Sequence, residues 1–237
     1  ALDISGSMLS LDFQPLDRLE SAKAVIRDFI AGRPHDRIGL VVFAARAFTQ
    51  CPLTLDHPVL TGFLEEIRVG LVEDGTAIGL GLATAVSRLQ RSTSPSRTII
   101  LLTDGVNNVP TLEPETAARL AQTFGIRVYA VAIGRQGLVP FPVEDPIFGR
   151  RTRQIESKID LDLLRRIAAT TGGEMYQATD PEALKAIFRR IDELEKVRYR
   201  TTISTWHRER MAWFAVPGLA LLLLESLLGA TWPRRLP

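Results

Sequence analysis

Apolar positions in the first 196 residues alternate between short unbroken runs and repeats at helical spacing. Runs rich in Val and Ile predict buried strands at residues 37–43, 98–102 and 126–133. Shorter strands are predicted at residues 1–4, 47–49 and 174–178. Residues 1–4 resemble only the last part of a strand, so we expect further residues before Ala1 in the parent protein. Repeats at intervals of three and four predict six helices, at residues 18–30, 58–67, 76–89, 115–124, 161–169 and 181–194.

This alternation predicts an α/β domain over residues 1–196. Strand–helix–strand units fold with a right-handed crossover, which gives a mostly parallel sheet with helices on both faces. Residues 135–158 are the least regular stretch and contain prolines at positions 140, 142 and 146. Because this segment follows a strand, it should leave the sheet at its carboxyl edge. It is either a solvated excursion or a rim that helps to select a partner.

The end of the chain follows a different pattern. Residues 212–232 contain one charge, Glu225, and are long enough to cross a hydrocarbon core of roughly 30 Å. All three tryptophans lie in or beside this stretch, where indoles typically anchor a spanning helix. We therefore expect one C-terminal transmembrane helix at 212–232, preceded by a basic linker at 197–211 and followed by a short basic tail at 233–237.

Composition excludes several classes of protein. The 237 residues contain 29 Lys and Arg against 27 Asp and Glu, a formal net charge of +2. This balance argues against nucleic acid as a partner, because nucleic-acid binders carry a clustered basic face. The single cysteine, Cys51, excludes a disulfide framework within this chain and a zinc site built from several cysteines.

Three polar segments fall where predicted strands end or helices begin. D-I-S-G-S starts at Asp3, D-G-T ends at Thr76, and T-D-G is centred on Asp104. In an open α/β sheet, the carboxyl ends of the strands and the loops that follow them form the ligand crevice. The side chains expected to converge there are Asp3, Ser5, Ser7, Thr76 and Asp104.

Two carboxylates and three hydroxyls, without His or Cys, form a hard-oxygen ligand set. Such a set suits Mg²⁺ or Mn²⁺, and Ca²⁺ less tightly, with water completing the coordination shell. One coordination position is then left for an outside oxygen, and a carboxylate from a partner protein would fill it. Taken singly, each segment also fits a helix cap or a turn. Asn107 and Asn108, just beyond Asp104, are a candidate ligand rim, although turn formation explains them equally well.

A magnesium-dependent phosphoryl-transfer enzyme is the competing class, because it also places an aspartate at a strand end. That chemistry needs a second acid or base carboxylate, typically in D-x-D, and here the second position is Ser5. None of the three histidines lies in the polar segments, and we expect Lys23 to face solvent. Gly79 and Gly81 lie inside a predicted helix without a following Lys-Ser or Lys-Thr, which excludes a P-loop.

The D-x-S-x-S segment, the downstream Thr and the T-D-G segment, in this order, resemble a von Willebrand factor A (VWA) domain with a metal-ion-dependent adhesion site. The resemblance covers residues 1–196 and implies a Rossmann-like, mostly parallel six-stranded sheet with one antiparallel edge strand. It implies a protein-binding module that is not an enzyme. The alternative is a structural VWA subunit whose metal site is vestigial. The implied ion contacts are Ser5, Ser7 and Thr76, with Asp3 and Asp104 binding directly or through water.

Longer stretches resemble the bacterial aerotolerance (Bat) membrane proteins, nearer to BatA than to BatB. They include DRIGLVVFAARAFTQCPLTLD, DGTAIGLGLATAVSRL, IAATTGGEMYQATD and the closing RRLP. The resemblance implies other VWA and Bat proteins and a MoxR-type AAA+ ATPase as partners, in a complex at the bacterial inner membrane and its lipid bilayer.

Two arguments on membrane orientation disagree. Lys and Arg residues are more numerous before 212–232 than after it, which favours a cytoplasmic domain. The two hydrophobic helices that usually precede the VWA domain in this family favour a periplasmic domain, which is the orientation we expect.

Overall fold

The computed structural model describes residues 1–145, 149–203, 218–219 and 221–224. Contacts divide the chain into two units, Ala1–Lys196 and Val197–Pro237. In the first unit, the described strands are β1 Leu2–Asp3, β2 Ile38–Phe43, β3 Ala47–Thr54, β4 Thr98–Thr103, β5 Arg127–Ile133, β6 Gly137–Asp145, β7 Gly149–Ser157 and β8 Met175–Ala178. The described helices are α1 Arg18–Ala31, α2 His57–Glu65, α3 Ile78–Leu89, α4 Pro114–Thr123, α5 Leu161–Thr171 and α6 Pro181–Ile203.

The larger sheet in the described part of the chain has six strands in the order β3-β2-β1-β4-β5-β8. Neighbouring strands run parallel except β2 and β3, which pair antiparallel at the edge. The α/β class and the mostly parallel sheet predicted from the sequence are therefore confirmed. Parallel strands β1 and β4 are neighbours at the centre, with Leu2 opposite Leu102, so their carboxyl ends reach the same edge.

Side chains of the central strands point alternately into two cores. In β4, Ile99 and Leu101 pack on one face, and Leu102 packs on the other. Helices α3, α4 and α5 cover the first face, and α1, α2 and α6 cover the second. Burial on both faces explains why β4 is apolar at every position from Ile99 to Leu102. The predicted helices on both faces are therefore present.

Three local expectations are wrong. Residues 135–158 contain a regular hairpin, because β6 and β7 pair antiparallel over nine residue pairs. Strand β3 reaches Thr54, well past the three residues expected, because its pairing with β2 continues to Ile38. Lys23, expected to face solvent, is buried. Its Nζ donates to Glu20 and to the carbonyls of Glu65 and Ile67 at 2.7, 3.2 and 3.1 Å, which compensates for the loss of water.

In the second unit, α6 continues to Ile203, so the first residues of the predicted linker are helical. The described residues 218–219 and 221–224 are also helical and exposed. Most of the predicted span at 212–232, together with the tail at 233–237, lies outside the described residues. Among the helices that the structure does describe, none combines the length and the apolar character needed to cross a bilayer.

Candidate metal centre

The carboxyl edge of the central strands brings together side chains that are about 100 positions apart. Asp3 is the last residue of β1, and Asp104 directly follows the last residue of the neighbouring strand β4. Both carboxylates are buried, at 0% and 1% exposed. A buried pair of acids at the end of two parallel strands is costly unless a cation or hydrogen-bond donors compensate for it.

Hydrogen bonds to both carboxylate oxygens fix Asp3. Its Oδ1 accepts from the backbone N–H of Ser5 at 2.9 Å, and its Oδ2 accepts from Thr103 Oγ1 at 2.5 Å. Ser5 then leads in an extended conformation into a short 3-10 turn, Gly6–Leu9. Asp3 is thereby held between the loop after β1 and the end of β4. Thr103 has no place among the residues predicted from the sequence, where it was only the first letter of T-D-G.

The two serine hydroxyls join the two carboxylates. Ser5 Oγ and Ser7 Oγ are 3.1 Å apart, and Ser7 Oγ donates to Asp104 Oδ1 at 2.7 Å. The third hydroxyl, of Thr76, lies beside Gly105, where an added Cβ would be 3.3 Å from Thr76 Oγ1. All five predicted side chains are thus brought to one edge of the sheet.

A cavity of about 340 Å³ opens at this edge. Ser7, Thr76 and Asp104 contribute to its wall, together with Gly105. Asp3 and Ser5 do not line the cavity, and their exposed fractions are 0% and 2%. The arrangement therefore has an inner pair, Asp3 and Ser5, behind three residues at the cavity wall, Ser7, Thr76 and Asp104.

Arg18 is the charged partner of this site that the sequence did not reveal. Its Nη1 donates to Asp104 Oδ2 at 2.6 Å, and its Nη2 and Nε donate to Asp12 at 2.7 Å each. The Arg18 side chain is completely buried. Gly134 makes room for it, because a Cβ there would overlap the guanidinium. At the first position of an amphipathic helix, Arg18 resembles an ordinary surface residue, so no sequence signal distinguished it.

Electrostatics at the site favour an added cation. Burial, followed by the charge of Asp104, raises the pKa of Asp3 from 3.8 to about 7. Burial also raises the pKa of Asp104, although the nearby Arg18 opposes that shift. Arg18 pairs with two carboxylates, of Asp12 and Asp104, and the carboxyl group of Asp3 lies close enough to Asp104 for their charges to interact. When all three acids are ionised, they exceed the one guanidinium by two negative charges. A divalent cation would compensate for this excess.

The donor set decides which cation fits. Within the described residues, there is no group of three or more His, Cys, Asp or Glu side chains able to hold a metal. The candidate centre instead combines two carboxylates with three hydroxyls, as the sequence predicts. Oxygen ligands of this kind, completed by water, suit Mg²⁺ or Mn²⁺ better than softer metals. The residues present therefore fit a hard divalent cation.

The loop asparagines support the neighbouring helix. Asn108 Oδ1 accepts from the backbone N–H of Thr76 at 2.7 Å, and Asn107 Oδ1 accepts from that of Ile78 at 2.9 Å. These bonds satisfy donors at the start of α3, which begins at Ile78 and not at Thr76 as predicted. They also fix Thr76 relative to the loop after β4. Asn108 lines the cavity as well, and the ligand-rim role of both asparagines stays a prediction.

Asp74 ties two of the loops together. Its Oδ1 accepts from the backbone N–H of Gly6 at 2.7 Å and from that of Gly75 at 3.0 Å. Asp74 was not among the ligands predicted from the D-G-T segment. Its exposed carboxylate positions the serine loop against the segment that carries Thr76.

Comparison with known proteins identifies the class. The model of the von Willebrand factor type A domain matches residues 1–190, and this chain belongs to that family. An uncharacterized protein of Borreliella burgdorferi (strain ATCC 35210 / DSM 4680 / CIP 102532 / B31) is 32% identical over 225 residues, 94% of this chain and 65% of that protein. The chain thus spans slightly less than two thirds of this relative's length.

Two solved structures indicate which type of VWA protein this chain is similar to. BatB from Bacteroides thetaiotaomicron is 34% identical with a TM-score of 0.71, covering 82% of this chain and 96% of that one. An aerotolerance-related membrane protein from Bacteroides fragilis NCTC 9343, carrying multiple mutations to serine, is 32% identical with a TM-score of 0.69, covering 80% and 94%. Within the VWA family, the protein is therefore of the Bat type. The finer expectation, that it is nearer to BatA, stays a prediction.

Proposed function

We propose that this protein is a membrane-anchored module that binds a partner protein through a divalent cation. Asp3, Ser5, Ser7, Thr76 and Asp104 would hold the cation, directly or through water. A carboxylate of the partner would complete the coordination shell from the cavity. The cation would supply the attraction for the incoming carboxylate, while the chain's own hydroxyls and backbone donors keep the two buried aspartates in place.

The hydrogen bond from Ser7 to Asp104 carries this proposal. It joins residues 97 positions apart at 2.7 Å and thereby brings the D-x-S-x-S loop onto the end of β4. Asp3 meets Thr103 across the same junction. A set of helix caps and turns, each serving its own element, would have no need of such cross-links. The excess negative charge gives the arrangement its preference for a cation.

Mg²⁺ or Mn²⁺ is the proposed ion, and we expect the site to bind Ca²⁺ more weakly. The hydroxyl oxygens and the small number of carboxylates suit an octahedral ion that retains water. Ca²⁺ takes six to eight oxygens, often from several carboxylates. Manganese therefore serves as the probe for either of the two preferred ions.

Manganese binding to the full chain in detergent tests the centre. Electron paramagnetic resonance should show saturable loss of the free Mn²⁺ signal with the wild type. The Asp3→Ala variant should lose this binding while its circular dichroism is unchanged. Asp162→Ala is the matched control, because Asp162 is exposed on α5 and pairs with the exposed Arg165 at 2.6 Å. Equal binding by Asp3→Ala and wild type would refute the proposed ligand set.

Partner capture separates this function from a structural subunit with a vestigial metal site. We propose other Bat proteins and a MoxR-type ATPase as partners at the bacterial inner membrane. Pull-downs from membranes should lose partners when EDTA is added and when Asp3 is changed to Ala. Identical partner sets with and without EDTA would favour the structural subunit.

The proposed orientation places the VWA domain in the periplasm, with the expected span at 212–232 as the anchor. A reporter that is active only in the cytoplasm, fused after Pro237, tests this arrangement. A periplasmic domain followed by one span should give a signal, and a silent but stable fusion would reverse the orientation.

A further inference from the structure

The hairpin formed by β6 and β7 adds a wall to the metal-site cavity. Ile155, Glu156, Ser157 and Lys158 line the same cavity of about 340 Å³ as Ser7, Thr76 and Asp104 of the candidate metal centre. A ligand that entered this cavity would therefore lie beside the end of β7.

Three contacts anchor the hairpin and the residues just before it to the segment from Leu11 to Arg18, the first residue of α1. Leu11 N donates to Pro140 O at 2.8 Å, and Arg135 N donates to Asp12 Oδ2 at 3.0 Å. Arg18 Nη2 donates to Ser157 Oγ at 3.2 Å. Arg18 thus contacts both Asp104 and the hairpin. The hairpin is therefore built onto the metal centre and has a defined position beside it.

One face of the hairpin continues outward from the cavity. Side chains two positions apart on a strand share a face, and so do directly opposed residues on paired antiparallel strands. Starting from Ser157, the face passes through Ile155 and then reaches exposed arginines. We call this surface the inner face of the hairpin; it comprises Val139, Phe141, Val143, Arg151, Arg153, Ile155 and Ser157.

The inner face changes character with distance from the metal centre. Val139 is 2% exposed and Ile155 is half-buried, so the base packs on the domain. Further out, Phe141 is half-buried and lies opposite Arg153, which is exposed. Arg153 is four residues from Ser157, or about 14 Å along an extended strand. A partner segment of four or five extended residues spans that distance.

A second positively charged side chain, that of Lys158, lies closer to the metal centre than Arg153 does. Lys158 lies in the cavity wall, and its Nζ is 3.3 Å from Glu156 Oε2. These side chains are 70% and 65% exposed, so their pairing is of the weak, solvent-screened kind. A carboxylate brought in by a ligand can exchange with Glu156 at little cost.

We infer that the metal site and the inner face of the hairpin form one surface for an extended, acidic protein segment. Its first carboxylate takes the cation, and further carboxylates meet Lys158 and Arg153, beside the apolar Phe141. This inference rests on the proposed function and specifies the chemistry of the partner. A protein segment is favoured over an anionic lipid surface because the arginine-bearing face leads into the cavity that the metal centre lines.

The test uses the full chain in detergent and fluorescein-labelled octaglutamate as the probe. Fluorescence anisotropy in the presence of Mn²⁺ measures its affinity, and octaglutamine serves as the uncharged probe. Arg153→Glu should weaken octaglutamate binding about threefold to tenfold, the size expected when an exposed attraction becomes a repulsion. Arg165→Glu, a reversal at a 64% exposed position on α5, should leave the affinity unchanged. Mn²⁺ binding, measured separately, should be equal in all three proteins.

The other outcomes distinguish a failure of this inference from a failure of the proposed function. Normal Mn²⁺ binding with equal octaglutamate affinity in Arg153→Glu and wild type would overturn this inference and leave the proposed function intact. Absence of Mn²⁺ binding by the wild type would overturn both. Octaglutamate binding that persists in EDTA and still falls in Arg153→Glu would show that the hairpin binds acidic segments without the metal. That result would overturn the inference that the two form one surface. Phosphatidylglycerol vesicles that bind wild type better than Arg153→Glu, without any effect on octaglutamate, would assign the hairpin to the membrane instead.

Discussion

Arg18 Nη1 lies 2.6 Å from Asp104 Oδ2, and both side chains are fully buried. This ion pair joins the first residue of α1 to the residue after β4, across 86 positions of sequence. It also places a permanent positive charge beside a candidate metal ligand. Since the same guanidinium bonds Asp12 and Ser157, α1, β4 and the hairpin share one junction.

Replacing Arg18 with Met should therefore destabilise the protein strongly. The change leaves Asp104 and Asp12 without their buried partner, which typically costs about 3–5 kcal/mol. Urea unfolding of the full chain in EDTA measures the loss. Arg165→Met removes an exposed ion pair, and its effect should stay within about 0.5 kcal/mol of wild type. Comparable stability of the two variants would show that the buried pair contributes no more than a surface pair.

Gly134→Ala should also destabilise the protein, because the added Cβ would displace the Arg18 guanidinium. Gly134 has φ of +109°, and a Cβ there would overlap the Arg18 guanidinium. Gly137→Ala is the matched control, because Gly137 has φ of +99° with open space around its Cβ position. Backbone strain of about 1–3 kcal/mol applies to both variants, so the difference between them reports the overlap with Arg18. Chemical unfolding should show a larger loss for Gly134→Ala, and equal losses would contradict the tight fit.

The metal-free protein should lose stability as pH rises toward neutrality. Burial and the charge of Asp104 raise the folded-state pKa of Asp3 to about 7, whereas an unfolded Asp titrates near ~3.9. The folded state therefore holds a proton that the unfolded state releases between these values. Its contribution to stability is complete below pH ~4 and is lost as pH rises through about 7.

Unfolding in EDTA at several pH values between 5 and 8 measures this effect. Asp3→Asn, which cannot ionise, should show a flatter dependence of the unfolding free energy on pH. Mg²⁺ should restore wild-type stability at pH 8, because a bound cation favours the ionised carboxylates. A steeper decline in Asp3→Asn than in wild type would rule out the assigned titration.

Glu195 should stabilise the opposite end of the sheet independently of the metal. It is 7% exposed and accepts from Ser96 Oγ and Tyr129 Oη at 2.8 Å each, with Arg127 Nη1 at 2.5 Å. Burial opposes ionisation, but these three partners together hold the pKa of Glu195 below its ordinary value of 4.5. Its contribution is therefore present above the unfolded pKa and lost as pH falls through the folded one.

Glu195→Gln should cost about 1–3 kcal/mol at pH 7, since the buried network loses its negative charge and one of its two acceptor oxygens. Glu193→Gln, two residues away and exposed, is the control. Mn²⁺ affinity should be the same in both variants, because Ser96 and Arg127 lie at the amino ends of β4 and β5. A large fall in Mn²⁺ affinity in Glu195→Gln would contradict this independence and show that the Glu195 network influences metal binding at the other end of the sheet.

Periodicity and position along the chain were sufficient to determine the fold class and the candidate ligands. Nearly continuous apolar runs are typical of strands covered on both faces, so 98–102 and 126–133 were expected to be central strands flanked by helices. Polar segments at strand ends then had to lie at one edge. Asp3, Ser5, Ser7, Thr76 and Asp104 could be listed on that basis because local order along the chain carries the information.

Only the tertiary structure decided which charges are paired and which face the cavity. Arg18 and Lys23 both have the pattern of exposed positions on an amphipathic helix, and both are buried because distant loops supply their acceptors. The hairpin at 137–157 was missed for a similar reason. Its prolines weaken the strand signal, while its stability depends on cross-strand pairing and on contacts with residues 11–18. Interactions between residues far apart in sequence leave no periodic trace, so they become visible only when the chain is folded.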